Sequence, residues 1–214
     1  MGSGDDVDRA AQAERLGCAT LVDAMGRVHS HRAHILALTS PDPSRALFGP
    51  AVTVGYVPYR DDLSRDEVGF GELFYEAVGA SPAGRVLVLS SGGYPDASHG
   101  GGTKLSRVAR HGLAGVLADG RLRDFDELRD LGIPAWCRGE ATHWGGDTAM
   151  PYTANATVDI AGVCVTPGDY VFADASGAVV IPQASLDRVL DAARAVEAED
   201  REAEAAMRDE RLRH

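Results

Sequence analysis

The most constraining stretch of this 214-residue chain lies at residues 100–127. It begins Gly100-Gly-Gly-Thr-Lys-Leu-Ser106 and ends Gly120-Arg-Leu-Arg-Asp-Phe-Asp-Glu127, with twenty residues between Gly102 and Arg123. Leu105, Val108 and Ala109 recur at helical spacing across residues 104–110, and Gly112 supplies a left-handed stop. The three glycines therefore precede a helix N-terminus. Residues 113–118 form a short apolar run closed by Asp119-Gly120, the pattern of a buried strand. Helix, strand and loop in that order specify an α/β layout, whose ligand crevices open at the C-terminal ends of strands. Arg123 and Asp124 fall in that loop.

Elementary chemistry then narrows what such a unit can do. Unpaired N–H groups at a helix start favour an anion, and glycine lets the backbone approach it closely. A carboxylate beside a guanidinium can hold a divalent cation while the arginine faces a negatively charged substrate. A second reading of residues 124–127 stands beside this one. Asp124-Phe-Asp-Glu127 is also a capping box, with Asp124 as N-cap of a helix over residues 125–131. A capping aspartate has fewer lone pairs for a metal, so a water-rich site with one direct protein ligand is expected.

The stretch Gly100-Gly-Gly-Thr-Lys-Leu-Ser106, followed by Gly112-Leu-Ala-Gly-Val-Leu-Ala-Asp-Gly-Arg-Leu-Arg-Asp124, resembles the core of the RraA-like family. That family holds regulators of ribonuclease activity A and 4-hydroxy-4-methyl-2-oxoglutarate aldolases. Leu16-Gly-Cys-Ala-Thr-Leu-Val-Asp-Ala-Met-Gly26 is similar to its N-terminal helix, and Phe48-Gly-Pro-Ala-Val-Thr-Val54 to its first sheet segment. Gly84-Arg-Val-Leu-Val-Leu89 is similar to the strand before the site. Ala161-Gly-Val-Cys-Val-Thr-Pro-Gly-Asp-Tyr-Val-Phe-Ala-Asp174 and Gly177-Ala-Val-Val-Ile-Pro182 resemble its closing strands.

The resemblance implies an α/β fold of the RraA-like type, an α/β/α sandwich or barrel-like central sheet flanked by helices. It implies a metal-dependent carbon–carbon lyase, an aldolase or oxaloacetate decarboxylase, acting on 2-oxo acids through a pyruvate enolate. By that analogy Asp124 binds Mg2+ or Mn2+ directly and Arg123 neutralises the enolate oxygen, while Gly101, Gly102, Thr103 and Lys104 grip the substrate carboxylate. Family aldolases carry an Asp where this chain has Gly102. Other members have Gly there and a carboxylate three residues after the metal-binding Asp, which fits Glu127 holding the metal through a water. The resemblance also implies homotrimers or hexamers, in which Glu197 or Glu199 of a C-terminal tail would approach a neighbour's site. A non-catalytic regulator that binds a protein partner such as a ribonuclease is the alternative, as is a scaffold recruited to a specialised biosynthetic reaction.

Lys104 is the only lysine, against twenty arginines. It reads as a solvated helix side chain, a carboxylate contact, or the Schiff-base lysine of a metal-independent aldolase. His29, His31 and His34 have metal-like spacing in a segment matching a family region away from the site; His99 and His143 lie within reach of the glycine loop. Ser90-Ser91 is placed to line the pocket, and Asp169 and Asp174 read as turn and sheet-edge residues.

A hydrophobic content of 44% lets one domain over residues 1–214 bury a substantial core, with the family core at about 16–182. Helices are expected over residues 8–16 and 20–25, broken near Gly17, and over 185–214 with Ser185 as cap. The net charge of −11 and the lack of a basic stripe argue against nucleic acid. No apolar run is long enough for a membrane span, and Met1-Gly-Ser-Gly-Asp-Asp6 has no signal-peptide character, so a cytoplasmic setting is expected. Cys18, Cys137 and Cys164 are too scattered for a disulfide framework or a metal knuckle.

Overall fold

The computed structural model describes residues 3–63 and 69–211. The chain runs through α1 (Ser3–Val28), β1 (His34–Ile35), β2 (Leu47–Pro58), α2 (Phe70–Val78), β3 (Val86–Ser90) and β4 (Ser98–Gly100). It continues with α3 (Gly102–Arg110), β5 (Gly115–Ala118), β6 (Arg121–Leu122), α4 (Phe125–Asp130), β7 (Ala135–Trp136) and β8 (Ala149–Ala154). It closes with β9 (Val158–Ile160), β10 (Val163–Val165), β11 (Tyr170–Asp174), β12 (Gly177–Ile181), a 3-10 turn (Gln183–Ser185) and α5 (Leu186–Arg211). Among the described residues no helix is long and apolar enough to cross a membrane.

The central sheet is mixed, in the order β1-β12-β11-β2-β3-β5-β7, with β8 added along β2. Strands β2, β3, β5 and β7 are parallel, as crossovers through α2, α3 and α4 require, and β1, β12 and β11 pair antiparallel. Alternation along each strand sorts its side chains. Leu87 and Leu89 of β3, with Val52 and Val54 of β2, pack under α2, α3 and α4. Val86 and Val88 point the other way, into a cluster with Leu117, Trp136, Val171 and Val180, which the β9–β10 hairpin covers through Ile160 and Val163. On the helical face of the antiparallel half, α1 and α5 pack Leu21, Met25, Val189 and Ala193 against Phe172 and Val179.

The expected helix-flanked sheet is therefore present, and it takes the barrel-like form. Thr39, just beyond β1, pairs with Cys137, just beyond β7, through reciprocal N–H to carbonyl bonds of 2.7 and 2.9 Å that join the two edges. Closing a sheet on itself removes edges that would otherwise template aggregation.

The terminal helices follow their sequence signals closely. Gly17 breaks α1 with φ 79°, ψ 165°, a conformation that glycine adopts readily. Ser185 sits in the 3-10 turn rather than acting as a simple cap, and its hydroxyl is 2.9 Å from His29 Nε2. Arg27 binds both oxygens of Glu199 at 2.8 and 2.7 Å, and Arg201 pairs with Glu197 at 2.6 Å. Within the single chain both tail carboxylates are paired with arginines. Asp169 accepts the Thr166 N–H within its turn, and Asp174 ends β11 and accepts from the Cys18 and Ser176 N–H groups. Cys18 and Cys137 are buried, which pushes their thiols up to about 12 and about 11.

Candidate active site

Two short parallel strands bring the distant halves of the glycine–arginine unit together. Strand β4 pairs with β6, Ser98 opposite Arg121 and Gly100 opposite Leu122, and Arg123 N–H donates to the Gly100 carbonyl at 2.8 Å. The glycines end β4 and open α3 directly, with Gly101 as its N-cap. The first-turn N–H groups of α3 have no acceptors within the helix, and Thr103 and Lys104 carry two of them. They open onto a cavity of about 140 Å3 lined by Ser98, Gly100, Gly101, Thr103, Lys104, Arg123, Asp124 and Trp144. That is room for roughly five waters at ~30 Å3 each, the scale of a small keto acid.

The capping box expected at residues 124–127 does not form. Asp124 is left-handed at φ 62°, ψ 50° and makes no side-chain cap bond. The first N–H of α4, on Phe125, is taken instead by Glu140 Oε1 at 2.9 Å. Asp124 is turned into the cavity, where Oδ2 accepts the Gly102 N–H at 3.1 Å and Oδ1 lies 3.8 Å from Arg123 Nη2. The left-handed backbone costs a non-glycine residue roughly 1–2 kcal/mol, and aspartate tolerates it better than most. Glu127, exposed on α4, lies against Gly102 and does not line the cavity. A side chain on residue 102 would overlap its carboxylate, so Gly102 leaves the space that Glu127 fills.

The carboxylate available to a cation in this cavity is that of Asp124. Among the described residues no group of three or more His, Cys, Asp or Glu is arranged to cage a metal. Asp124 retains lone pairs beyond its single N–H bond, and Glu127 stands nearby as a second carboxylate. One or two carboxylates with the remaining positions filled by water is the usual protein environment of Mg2+.

Lys104 is not the solvated helix residue of the first reading. It is half-buried, its ammonium lies 5.4 Å from the centre of the Phe70 ring, and it lines the cavity. Burial, then Arg107 and Arg123, hold its pKa below the usual lysine range. Lys104, Arg123 and the start of α3 give the cavity positive character beside Asp124.

Other residues singled out by sequence lie elsewhere. His99 is fully buried on β4; its Nε2 faces the Ser91 carbonyl at 3.3 Å, so Nε2 carries the proton, while buried Nδ1 has no partner. His143 is exposed and pairs with Asp147. Ser90 donates to the Asp159 carbonyl, and buried Ser91 gives its N–H to Asp119, so neither lines the cavity. The His29 and His31 rings lie 4.9 Å apart, tilted by 44°, and neither lines the cavity. The sequence reading missed Ser98 on the cavity wall and Glu140 as the cap of α4. Glu140 lies 15 residues beyond the N–H it accepts, where no local pattern points to it.

The match to known proteins covers this unit and most of the chain. The family model for RraA-like proteins, described as Aldolase/RraA, matches residues 18–180. The chain belongs to the RraA-like family. A Halalkalibacterium halodurans protein provisionally named 4-hydroxy-4-methyl-2-oxoglutarate aldolase is 28% identical over 204 residues, 95% of this chain and 90% of that protein. A protein of the same provisional name from Albidiferax ferrireducens is 32% identical over 146 residues, 64% of this chain and 76% of its own length. The crystal structure of Streptomyces coelicolor RraAS2, described as an unusual member of the RNase ES inhibitor RraA protein family, superposes with a TM-score of 0.77 at 28% identity, over 94% of this chain and 96% of that one. RraA-like relatives thus include both named aldolases and a named inhibitor family.

Proposed function

We propose that this RraA-like protein is a divalent-metal-dependent carbon–carbon lyase that acts on 2-oxo acids through a pyruvate enolate. The observation that carries the reading is the Asp124 carboxylate, freed from helix capping and held by the Gly102 N–H in a small cavity beside Arg123. Asp124 would hold Mg2+ or Mn2+ directly and Glu127 through a water. When bound, the ion supplies Lewis-acid polarisation of the 2-oxo group.

The chain's own residues do the rest. Thr103 and Lys104 N–H groups receive the C1 carboxylate, and the Lys104 ammonium adds charge to that end. Arg123 faces the oxygen on C2. In aldol cleavage the C3–C4 bond breaks, its electron pair moves into the C2–C3 enolate, and the C4 hydroxyl passes its proton to a water in the cavity as it becomes a carbonyl. In oxaloacetate decarboxylation the corresponding bond releases CO2 and leaves the same enolate, which then takes a proton at C3. Arg123 neutralises the oxygen where negative charge grows, an interaction stronger in the transition state than in the ground state. The same reading carries assembly into homotrimers or hexamers, which sedimentation velocity measures.

A pure protein-binding regulator is the second reading, favoured by the description of the Streptomyces coelicolor relative. A binding surface has no need of a carboxylate turned into a small glycine-lined cavity beside an arginine. The discriminating experiment is exchange of the pyruvate methyl protons in D2O, followed by proton NMR. Exchange that needs Mg2+ or Mn2+ and disappears in Arg123→Met and Asp124→Asn supports the lyase. A folded protein that exchanges none of them with either ion favours the regulator.

A further inference from the structure

The 140 Å3 cavity does not end at Lys104. Ser98, Lys104 and Trp144 also line a second, larger groove of about 600 Å3. That volume falls within the 300–1,000 Å3 typical of small-molecule sites. It is walled by Tyr56 and Tyr59 at the end of β2, Phe70 and Leu73 of α2, and Met150 and Tyr152 of β8. The junction between the two spaces is the Lys104 ammonium over the Phe70 ring.

Beyond that junction the charged residues lining the groove are acidic, with Arg107 behind Glu72. Glu72 and Glu76 of α2 line the groove, and Lys104 at its mouth is the cation among the lining residues. Glu72 accepts the Gly69 N–H at 2.9 Å, and backbone hydrogen bonds hold its carboxyl below the usual range, so it carries its charge at neutral pH. A second carboxylate lying there would face two like charges across an apolar wall. An uncharged ring would meet aromatic faces and lose water at little cost.

We propose that the substrate is a 2-oxo acid whose distal group is uncharged and of aromatic size. Its keto-acid end sits at Asp124 and Arg123, and its distal group lies in the groove between Phe70 and Tyr152. This rests on the keto-acid reading of the smaller cavity and adds the class of substrate. It separates this chain from relatives named for 4-hydroxy-4-methyl-2-oxoglutarate, which bears a carboxylate at its far end.

The test is calorimetric titration of the Mg2+-loaded protein with pyruvate, phenylpyruvate and 2-oxoglutarate. Phenylpyruvate is expected to bind at least about tenfold tighter than pyruvate, the scale of burying one ring, and 2-oxoglutarate no tighter than pyruvate. Tyr152→Glu should erase the phenylpyruvate advantage and leave pyruvate unchanged. Tyr152 is 41% exposed and Tyr59 45%, so both tolerate substitution, and Tyr59→Glu, on the chain just past the neighbouring strand, should act alike. Equal affinities for the three acids, or tightest binding of 2-oxoglutarate, would overturn the proposal while leaving the keto-acid site standing. Binding of none of them would overturn the keto-acid reading itself. A phenylpyruvate advantage that survives both substitutions while the sedimentation coefficient drops would assign the groove to a second copy of the chain and also overturn the proposal.

Discussion

The Glu127 carboxylate occupies the space into which a side chain on Gly102 would project. The two positions belong to different helices, α3 and α4, yet they compete for one volume. A carboxylate can come to this point from either position, and the other must then be small. Gly102→Asp is therefore expected to displace Glu127 and to lower Mn2+ affinity by about 10–100-fold, the range for a disturbed second-layer metal partner. The double variant Gly102→Asp with Glu127→Ala should recover most of that loss in an electron paramagnetic resonance titration. Equal affinities in the single and double variants would show that the positions are independent.

Asp124 has a left-handed backbone, φ 62°, that aspartate and asparagine adopt at lower cost than alanine. Asp124→Asn should unfold within about 1 kcal/mol of the wild type, whereas Asp124→Ala should lose roughly 1–2 kcal/mol from left-handed strain alone. Both should lose metal-dependent turnover. Chemical denaturation beside an activity assay separates the two effects, and a fully active Asp124→Asn would remove Asp124 from the site.

Glu140 is the cap of α4, through the Phe125 N–H. Glu140→Ala should cost about 0.5–2 kcal/mol, as loss of a helix cap does, and Glu140→Gln less, since its amide oxygen still accepts. Equilibrium unfolding in urea reads this difference directly.

Much of the site's framework was legible in residues 100–127 because its signals are local. The glycines open α3, Gly112 ends the turn after it at φ 66°, and the apolar run becomes β5. The kink at Gly17 was legible for the same reason. What escaped sequence reading depends on partners far along the chain. Strands β4 and β6 are three and two residues long, too short for any periodicity, and the Thr39–Cys137 closure joins positions nearly one hundred residues apart. Asp124 carried a strong capping pattern that lost to a distant competitor, Glu140. Lys104 looked solvated because Phe70, the ring beneath it, comes from α2.

Lys104 should impose a pH limit on substrate binding. Its folded pKa is lowered from 10.5, first by burial, so it loses its proton at a lower pH than a free lysine. Affinity for an anionic keto acid is expected to fall as pH rises through that lowered value, seen as a rise in KM with kcat less affected. Lys104→Arg, which stays charged, should move the fall to higher pH. Borohydride in the presence of pyruvate should leave no adduct on Lys104, because the proposed chemistry uses no imine; a covalent adduct there would replace the metal reading with a Schiff-base one.

His99 ties stability to pH in the opposite limb. Burial lowers its folded pKa below 6.5, so the unfolded chain takes up a proton more readily than the folded one. Its contribution is fully present above the unfolded value and is lost as pH falls from about 6.5 towards the lowered folded value. Urea unfolding between pH 7 and pH 5 should show this loss, and His99→Gln, which cannot titrate, should flatten that part of the profile.

The most direct measurement is pyruvate release from oxaloacetate, coupled to lactate dehydrogenase, with Mg2+ or Mn2+, with excess chelator, and with Asp124→Asn. The lyase reading predicts turnover that depends on the ion, stops with chelator and falls at least about 100-fold in the variant, a loss of roughly 2.7 kcal/mol of transition-state stabilisation. Turnover that persists with chelator, or equal turnover in Asp124→Asn, would contradict it.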